Sequence, residues 1–124
     1  MSLLKVIFDS SFLLAVVEKP TTWFEDMTET LGRFQPILLD CTRGELEKMA
    51  GAQNRRARAA RVSLDLASEF AGAPCGGASV DDEIVSAALS TRAVVATIDS
   101  KLARALRAAH VTVVFLRSGR VAFT

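Results

Sequence analysis

The chain has 124 residues, half of them apolar and 23% charged, which is room for one globular domain and too hydrophobic for a disordered segment. Fifteen Lys and Arg against fourteen Asp and Glu leave a formal charge of +1, so no charged tail or uniformly basic arm announces a partner. The charge is nevertheless uneven: residues 1–52 carry five basic and eight acidic side chains, residues 53–124 ten and six.

In chain order, Leu3–Phe8 is a short, nearly continuous apolar run, the pattern of a strand buried on both faces of a parallel sheet. Ser10–Glu18 reads as a helix stopped before Pro20, and Thr22–Leu31 as a second helix ending at Gly32, with Trp23, Met27 and Leu31 along one face. Gln35–Leu39 is the next strand. Thr42–Ala50 is helical and closed by Gly51, and Asn54–Ala71 is the longest predicted helix, striped by Ala57, Ala60, Leu64, Ala67 and Ala71. Gly72–Ser79 is a loop. Asp81–Thr91 (helix), Ala93–Ile98 (strand), Lys101–Ala109 (helix) and Val111–Leu116 (strand) follow, and Ser118-Gly119 turns into a last extended piece, Arg120–Thr124. Strands alternating with helices predict an α/β fold, three layers deep (α/β/α), around a central parallel sheet of four to five strands with right-handed crossovers.

The apolar opening is split by Asp9 and runs into Glu18-Lys19-Pro20 with no small-residue cleavage site, so it is expected to be strand and helix rather than a leader. No stretch approaches the roughly 18 apolar residues of a membrane span. Cys41 and Cys75 have neither metal-ligand spacing nor the density of a disulfide-stapled domain, and reduced thiols in a soluble, cytoplasmic protein are expected.

The acids carry the chemistry. Asp9 directly follows the first strand, Asp99 the strand Ala93–Ile98, Glu45 stands in the first turn after Gln35–Leu39, and Asp81 and Asp82 open another helix. Each has a local explanation. Asp9 and Asp99 suit helix N-caps, Thr42-x-x-Glu45 and Ser79-x-x-Asp82 have capping-box form, and first-turn acids complement the helix dipole. Together they say more, because all strand carboxyl ends of a parallel sheet share one edge, where sites form. Asp81 precedes Ile84 and Val85 by three and four residues and shares their inward face, whereas Asp82 sits about 100° round the helix. Clustered inward carboxylates are costly unless a cation neutralises them, and all-oxygen donors favour Mg²⁺ or Mn²⁺ over zinc.

These residues resemble the motifs of the PIN domain family of small metal-dependent ribonucleases, and the likeness runs through essentially the whole chain. Leu3–Leu14 (LLKVIFDSSFLL) is similar to the family's opening strand and its first acid, with Ser11 where Asn is common. Glu45-Leu46 resembles the second acid, Val80–Ala88 (VDDEIVSAA) the third at Asp81, and Val94–Leu106 (VVATIDSKLARAL) the fourth at Asp99, preceded by Thr97. The tail HVTVVFLRSGRV resembles the last strand of archaeal-style members.

The resemblance implies a Mg²⁺- or Mn²⁺-dependent endoribonuclease, with Asp9, Glu45, Asp81 and Asp99 as catalytic metal ligands, Asp82 as a further candidate, and Ser10, Ser11 and Thr97 in support. It implies an RNA substrate, and either a toxin held by a small antitoxin protein or an RNA-processing enzyme with a ribosome-assembly partner, expected as a homodimer. For RNA contact the candidates are Arg43 and the crowded Arg55, Arg56 and Arg58, set against a solvated helix face partly offset by an Arg61–Asp65 pair. His110, Met27 and Met49 read as structural, and Cys75 as an unreactive loop thiol. Two other classes compete. A non-catalytic PIN-like scaffold or RNA-binding module would be expected to lose some of the four acids, and a receiver-like phospho-acceptor domain would want a Lys after a late strand, where Arg117 follows Val111–Leu116.

Overall fold

The computed structural model describes residues 3–19 and 21–124; Pro20, expected to stop the first helix, lies outside them. The elements are β1 (Leu4–Phe8), α1 (Ser10–Glu18), α2 (Trp23–Leu31), β2 (Phe34–Leu39), α3 (Asp40–Ala50), α4 (Arg55–Leu66), β3 (Ala71–Ala73), α5 (Val80–Thr91), β4 (Val94–Ala96), α6 (Ser100–Ala108), β5 (Val113–Arg117) and β6 (Arg120–Phe123). One six-stranded sheet runs β3-β2-β1-β4-β5-β6, parallel throughout except for the antiparallel β5–β6 pair.

The three predicted layers are present, and period-2 alternation along the strands divides the core between them. Val6 and Phe8 face one side with Leu38, packed under Phe12, Leu13, Met27, Leu46 and Ala60 from α1 to α4. Ile7, Ile37, Leu39 and Val95 face the other, under Ile84 and Ala88 of α5 and Leu102 and Leu106 of α6.

The sheet has six strands where four to five were expected: β3 was not foreseen, whereas β6 is the last extended piece, and both have physical reasons. The predicted helix Asn54–Ala71 stops at Leu66, because Ala67–Phe70 turns and carries the Phe70 ring onto Phe8, with centroids 5.1 Å apart. Ala71–Ala73, read as helix end and loop, becomes β3 by pairing with Ile37–Leu39. Ala-Gly-Ala has no strand propensity of its own, and tertiary pairing supplies what the residues lack. At the other edge Ser118 and Gly119 both have positive φ, 52° and 77°, which a two-residue turn between antiparallel strands requires, so the tail folds back as β6.

Two further expectations are corrected. Cys41 and Cys75 are joined in a disulfide with Cα atoms 6.0 Å apart. The pairing of β3 beside β2 brings the first turn of α3 against the loop after β3, a juxtaposition that a sequence separation of 34 conceals. The Arg61–Asp65 pair does not form: the Arg61 guanidinium instead donates to the Ala50 carbonyl at 2.8 Å, closing the end of α3.

Candidate active site

From β1 the chain builds outward to β2 and β3, then returns to lay β4 and β5 along the other side of β1. The carboxyl ends of β1 and β4 therefore flank the point where the winding reverses, the place at which open α/β sheets hold ligands.

Asp9 leaves β1 at that point and is 6% exposed. Its amide donates to the Ala96 carbonyl at 2.9 Å, keeping the two strand ends in step. By position it is the N-cap of α1, but its side chain makes no capping bond. Instead Oδ2 accepts from the Ser11 hydroxyl and, at 2.8 Å, from the fully buried Thr97 hydroxyl. Thr97 in turn accepts from the Asp99 amide at 3.0 Å, and Ser11 from the Ile98 amide at 3.1 Å. Two hydroxyls thus fasten one oxygen of Asp9 and tie the start of α1 to the end of β4.

Asp99 caps α6 as expected, with Oδ1 accepting from the Lys101 and Leu102 amides at 2.9 and 3.2 Å. Glu45 stands in the second turn of α3 rather than the first, because the helix begins at Asp40. The Thr42–Glu45 capping box is therefore absent: Thr42 is buried inside the helix with its hydroxyl unpartnered. Glu45 is held by Ser10, whose hydroxyl donates to Oε1 at 3.0 Å.

Asp81 comes in from the opposite layer on the first turn of α5. Its carboxyl is pushed above the ordinary carboxylate value by burial, then by the negative charges of Asp9 and Asp99, with Asp82 adding to the effect and Lys101 opposing it. Asp82 is exposed, and its amide donates to Ser79, which is the N-cap of α5 as expected. The third consecutive acid, Glu83, is spent locally: it accepts from the Ala78 amide at 2.8 Å and is held low by the Gly76 and Ala78 amides.

A cleft of about 490 Å³ is lined by Glu45, Ser79, Val80, Asp81, Asp82, Val85, Lys101, Leu102 and Ala105. Lys101 is the site residue that sequence reasoning missed; an exposed lysine on a helix gives no signal until α6 is seen to face Asp81. A larger cavity of about 770 Å³ at the α3–α4 turn contains no acid, and its size does not make it the reaction site. Among the described residues no three His, Cys, Asp or Glu side chains are gathered tightly enough to form a ready metal cage. Of the four predicted acids, Glu45 and Asp81 line this cleft, while Asp9 and Asp99 stand at the ends of β1 and β4, near enough for their charges to act on Asp81; Glu45 is turned to Ser10 and one oxygen of Asp99 to helix amides. Arg43 is half-buried on α3, and Arg55, Arg56 and Arg58 are exposed on α4, outside this cleft.

A fold with paired hydroxyls on a strand-end aspartate and acids from three layers at the switch point defines a class, and the comparisons agree with it. Residues 6–119 match the family described as PIN like domain, and the chain belongs to that family. A solved structure described as that of the PIN domain endonuclease Utp24 is similar, with 25% identity and a TM-score of 0.80 over 96% of this chain and 90% of the other. A domain of a functionally unknown protein from Methanocaldococcus jannaschii shares the fold, with 18% identity and a TM-score of 0.65 over 92% of this chain and 91% of that one. No curated protein sequence matches the chain. The family and its endonuclease member support a nuclease-type function at family level, and PIN-domain nucleases generally use divalent metals. No helix among the described residues is long and apolar enough to cross a membrane.

Proposed function

We propose that the chain is a Mg²⁺- or Mn²⁺-dependent endoribonuclease that hydrolyses RNA phosphodiester bonds with Asp9, Glu45, Asp81 and Asp99, at the cleft that Glu45 and Asp81 line beside the ends of β1 and β4. The observation that carries this reading is the setting of Asp81, which lines the cleft with Glu45 and is pushed up by burial and then by the charges of Asp9 and Asp99, with Lys101 alone opposing them. Such a group of carboxylates is costly in a folded protein unless a cation joins it.

The donors suit a hard divalent cation. The oxygen of Asp9 not held by Ser11 and Thr97, and that of Asp99 not held by helix amides, have no hydrogen-bond partner among the described residues, and Asp81 and Glu45 complete an all-oxygen set. When bound, such a cation supplies neutralisation of phosphate charge and a more acidic water. The protein's own part is positional. Ser11 and Thr97 fix the Asp9 carboxylate, Ser10 steadies Glu45, and Lys101 offers a positive charge to the phosphate in a cleft whose other charged groups are acids. Asp82 stands at the mouth as an auxiliary group. Hydrolysis forms one phosphorus–oxygen bond from water and breaks another, the leaving oxygen taking a proton.

Within this reading an RNA-processing role in the cytoplasm, alongside a ribosome-assembly partner, is favoured over that of a toxin by the archaeal-style C-terminal strand. Cleavage of a panel of fluorescent single-stranded RNAs with Mg²⁺, with Mn²⁺ and with chelator, wild type beside Asp9→Asn, tests the proposal. Metal-dependent cleavage lost in the variant supports it; cleavage that persists with chelator, or equally in Asp9→Asn, rejects it.

A further inference from the structure

The cavity of about 770 Å³ at the α3–α4 turn is lined by Ala52, Gln53, Asn54, Arg55, Arg58 and Arg61, and it shares no lining residue with the acid cleft. We infer that this basic pocket is an anchoring subsite for backbone phosphates of the RNA strand flanking the cleavage point, an inference that rests on the nuclease reading above.

Three arginines converge there without a carboxylate to satisfy them. The ion pair formed among the described residues is Arg120–Asp26, on another part of the molecule. Arg61 donates to the Ala50 carbonyl at 2.8 Å, which holds its guanidinium on the α3 side of the pocket. Arg55 and Arg58 lie three residues apart and so on one side of α4, while Arg56, grouped with them by sequence, does not line the cavity. Asn54 is engaged in capping, its side-chain oxygen accepting from the Ala57 amide at 2.8 Å, so the arginines and not the helix end are the anion-binding groups. Positive side chains in the first turn of α4 oppose the helix dipole, and no ion pair among the described residues offsets that cost. An external anion does. The planar, forked guanidinium suits phosphate oxygens, and several arginines in one cavity suit a chain of phosphates.

The placement fits a strand that also enters the cleft. Glu45 and the end of α3 at Ala50 are separated by only about 7–8 Å along the helix, at about 1.5 Å per residue. A strand leaving the acids along α3 meets the arginines within a few nucleotides.

The test compares Arg55→Gln/Arg58→Gln with a charge-matched control at two exposed arginines off the pocket and the cleft, Arg33→Gln/Arg107→Gln, keeping Arg61 because it closes α3. Binding of a fluorescent unstructured RNA is followed by anisotropy against salt, each protein also carrying Asp9→Asn so that the probe is not cut. Losing two phosphate contacts should lower the log–log salt slope by about 1.4, so that a fourfold drop in salt strengthens wild-type binding roughly sevenfold more than that of the pocket variant. With Asp9 restored, cleavage of a long RNA should weaken in KM while a dinucleotide, whose one phosphate is the scissile one and which leaves none for the pocket, is cut as by wild type.

Equal slopes in the pocket variant and its control overturn the subsite even if the enzyme cleaves RNA. A pocket-specific loss of binding in a protein that cleaves nothing upholds the subsite and rejects the nuclease reading. Unchanged RNA binding with lost binding of a polyglutamate probe assigns the pocket to an acidic protein segment and overturns the inference, as does failure of the wild type to bind RNA at all.

Discussion

Two aspartates show what this fold does with a carboxylate. Asp26 on α2 accepts from Arg120 Nε and Nη2 at 2.9 and 3.0 Å, from the Val121 amide at 3.1 Å and from the Thr22 hydroxyl at 3.1 Å. The Arg120 guanidinium and that amide hold its carboxyl down at about 2, and the result is a lock between α2 and the returning strand β6. Asp81 meets the opposite conditions: burial and the charges of Asp9 and Asp99 push it up, and only Lys101 opposes them. The same side chain is satisfied from within at one place and left with unmet charge at the other. Charge balanced internally serves the fold, whereas charge left unbalanced in a cleft marks a place where an outside group is needed.

Substitution by Asn separates the two most sharply. Asp9→Asn and Asp99→Asn should each reduce RNA cleavage by on the order of 10²-fold or more, since each removes a charged metal donor at the reaction site. Asn caps a helix as well as Asp, so Asp99→Asn should keep α6 and its circular dichroism unchanged. Asp26→Asn should do the reverse, leaving cleavage intact while lowering the melting temperature, because Arg120 loses its charged partner. Equal activity losses at Asp26 and Asp9 would abolish the distinction drawn between the two regions.

A smaller contrast lies within the cleft. Asp81→Asn should cost about tenfold more activity than Asp82→Asn and should raise the melting temperature, since it removes repulsion from Asp9 and Asp99. Asp82, exposed at the mouth, should show little of either effect. Parallel cleavage assays and thermal melts of the two variants check both halves.

How far the sequence foretold this contrast follows from the range of each interaction. The buried parallel strands and the order of the four acids were legible, because unbroken apolar runs and residues at strand ends are local patterns. The reason Asp9 is held was not, since Thr97 lies 88 residues away and only the β1–β4 pairing brings it near. The same holds for the Asp26–Arg120 lock, which depends on β6 turning back, and for the Cys41–Cys75 bond, which depends on a strand of Ala-Gly-Ala invisible to propensity. Lys101 illustrates a different limit: its identity was plain, but its role depends on which face of α6 meets the cleft. The four acids, finally, were expected to hold a metal directly or through water; Glu45 and Asp81 line one cleft and Asp9 and Asp99 stand at the strand ends beside Asp81, with Glu45 and Asp99 each partly engaged by neighbouring donors.

The finest test of the comparison is the pH dependence of stability, where the two aspartates act with opposite sign. A carboxyl held low in the fold contributes stability that is present above its ordinary value of 3.8 and is lost as the pH falls through about 2; this is Asp26, with Glu83 acting in the same direction. A carboxyl pushed up binds its proton more readily in the folded chain than in the unfolded one. Asp81 therefore favours the fold as the pH falls from neutrality through its raised value, and that gain is complete by 3.8. Melting temperatures followed from neutrality down to about pH 2 should accordingly show a small acid-side gain that Asp81→Asn removes, then a fall that Asp26→Asn makes shallower. If Asp81→Asn left the curve above 3.8 unchanged, the cleft would not hold the repulsion assigned to it, whatever the cleavage assays showed.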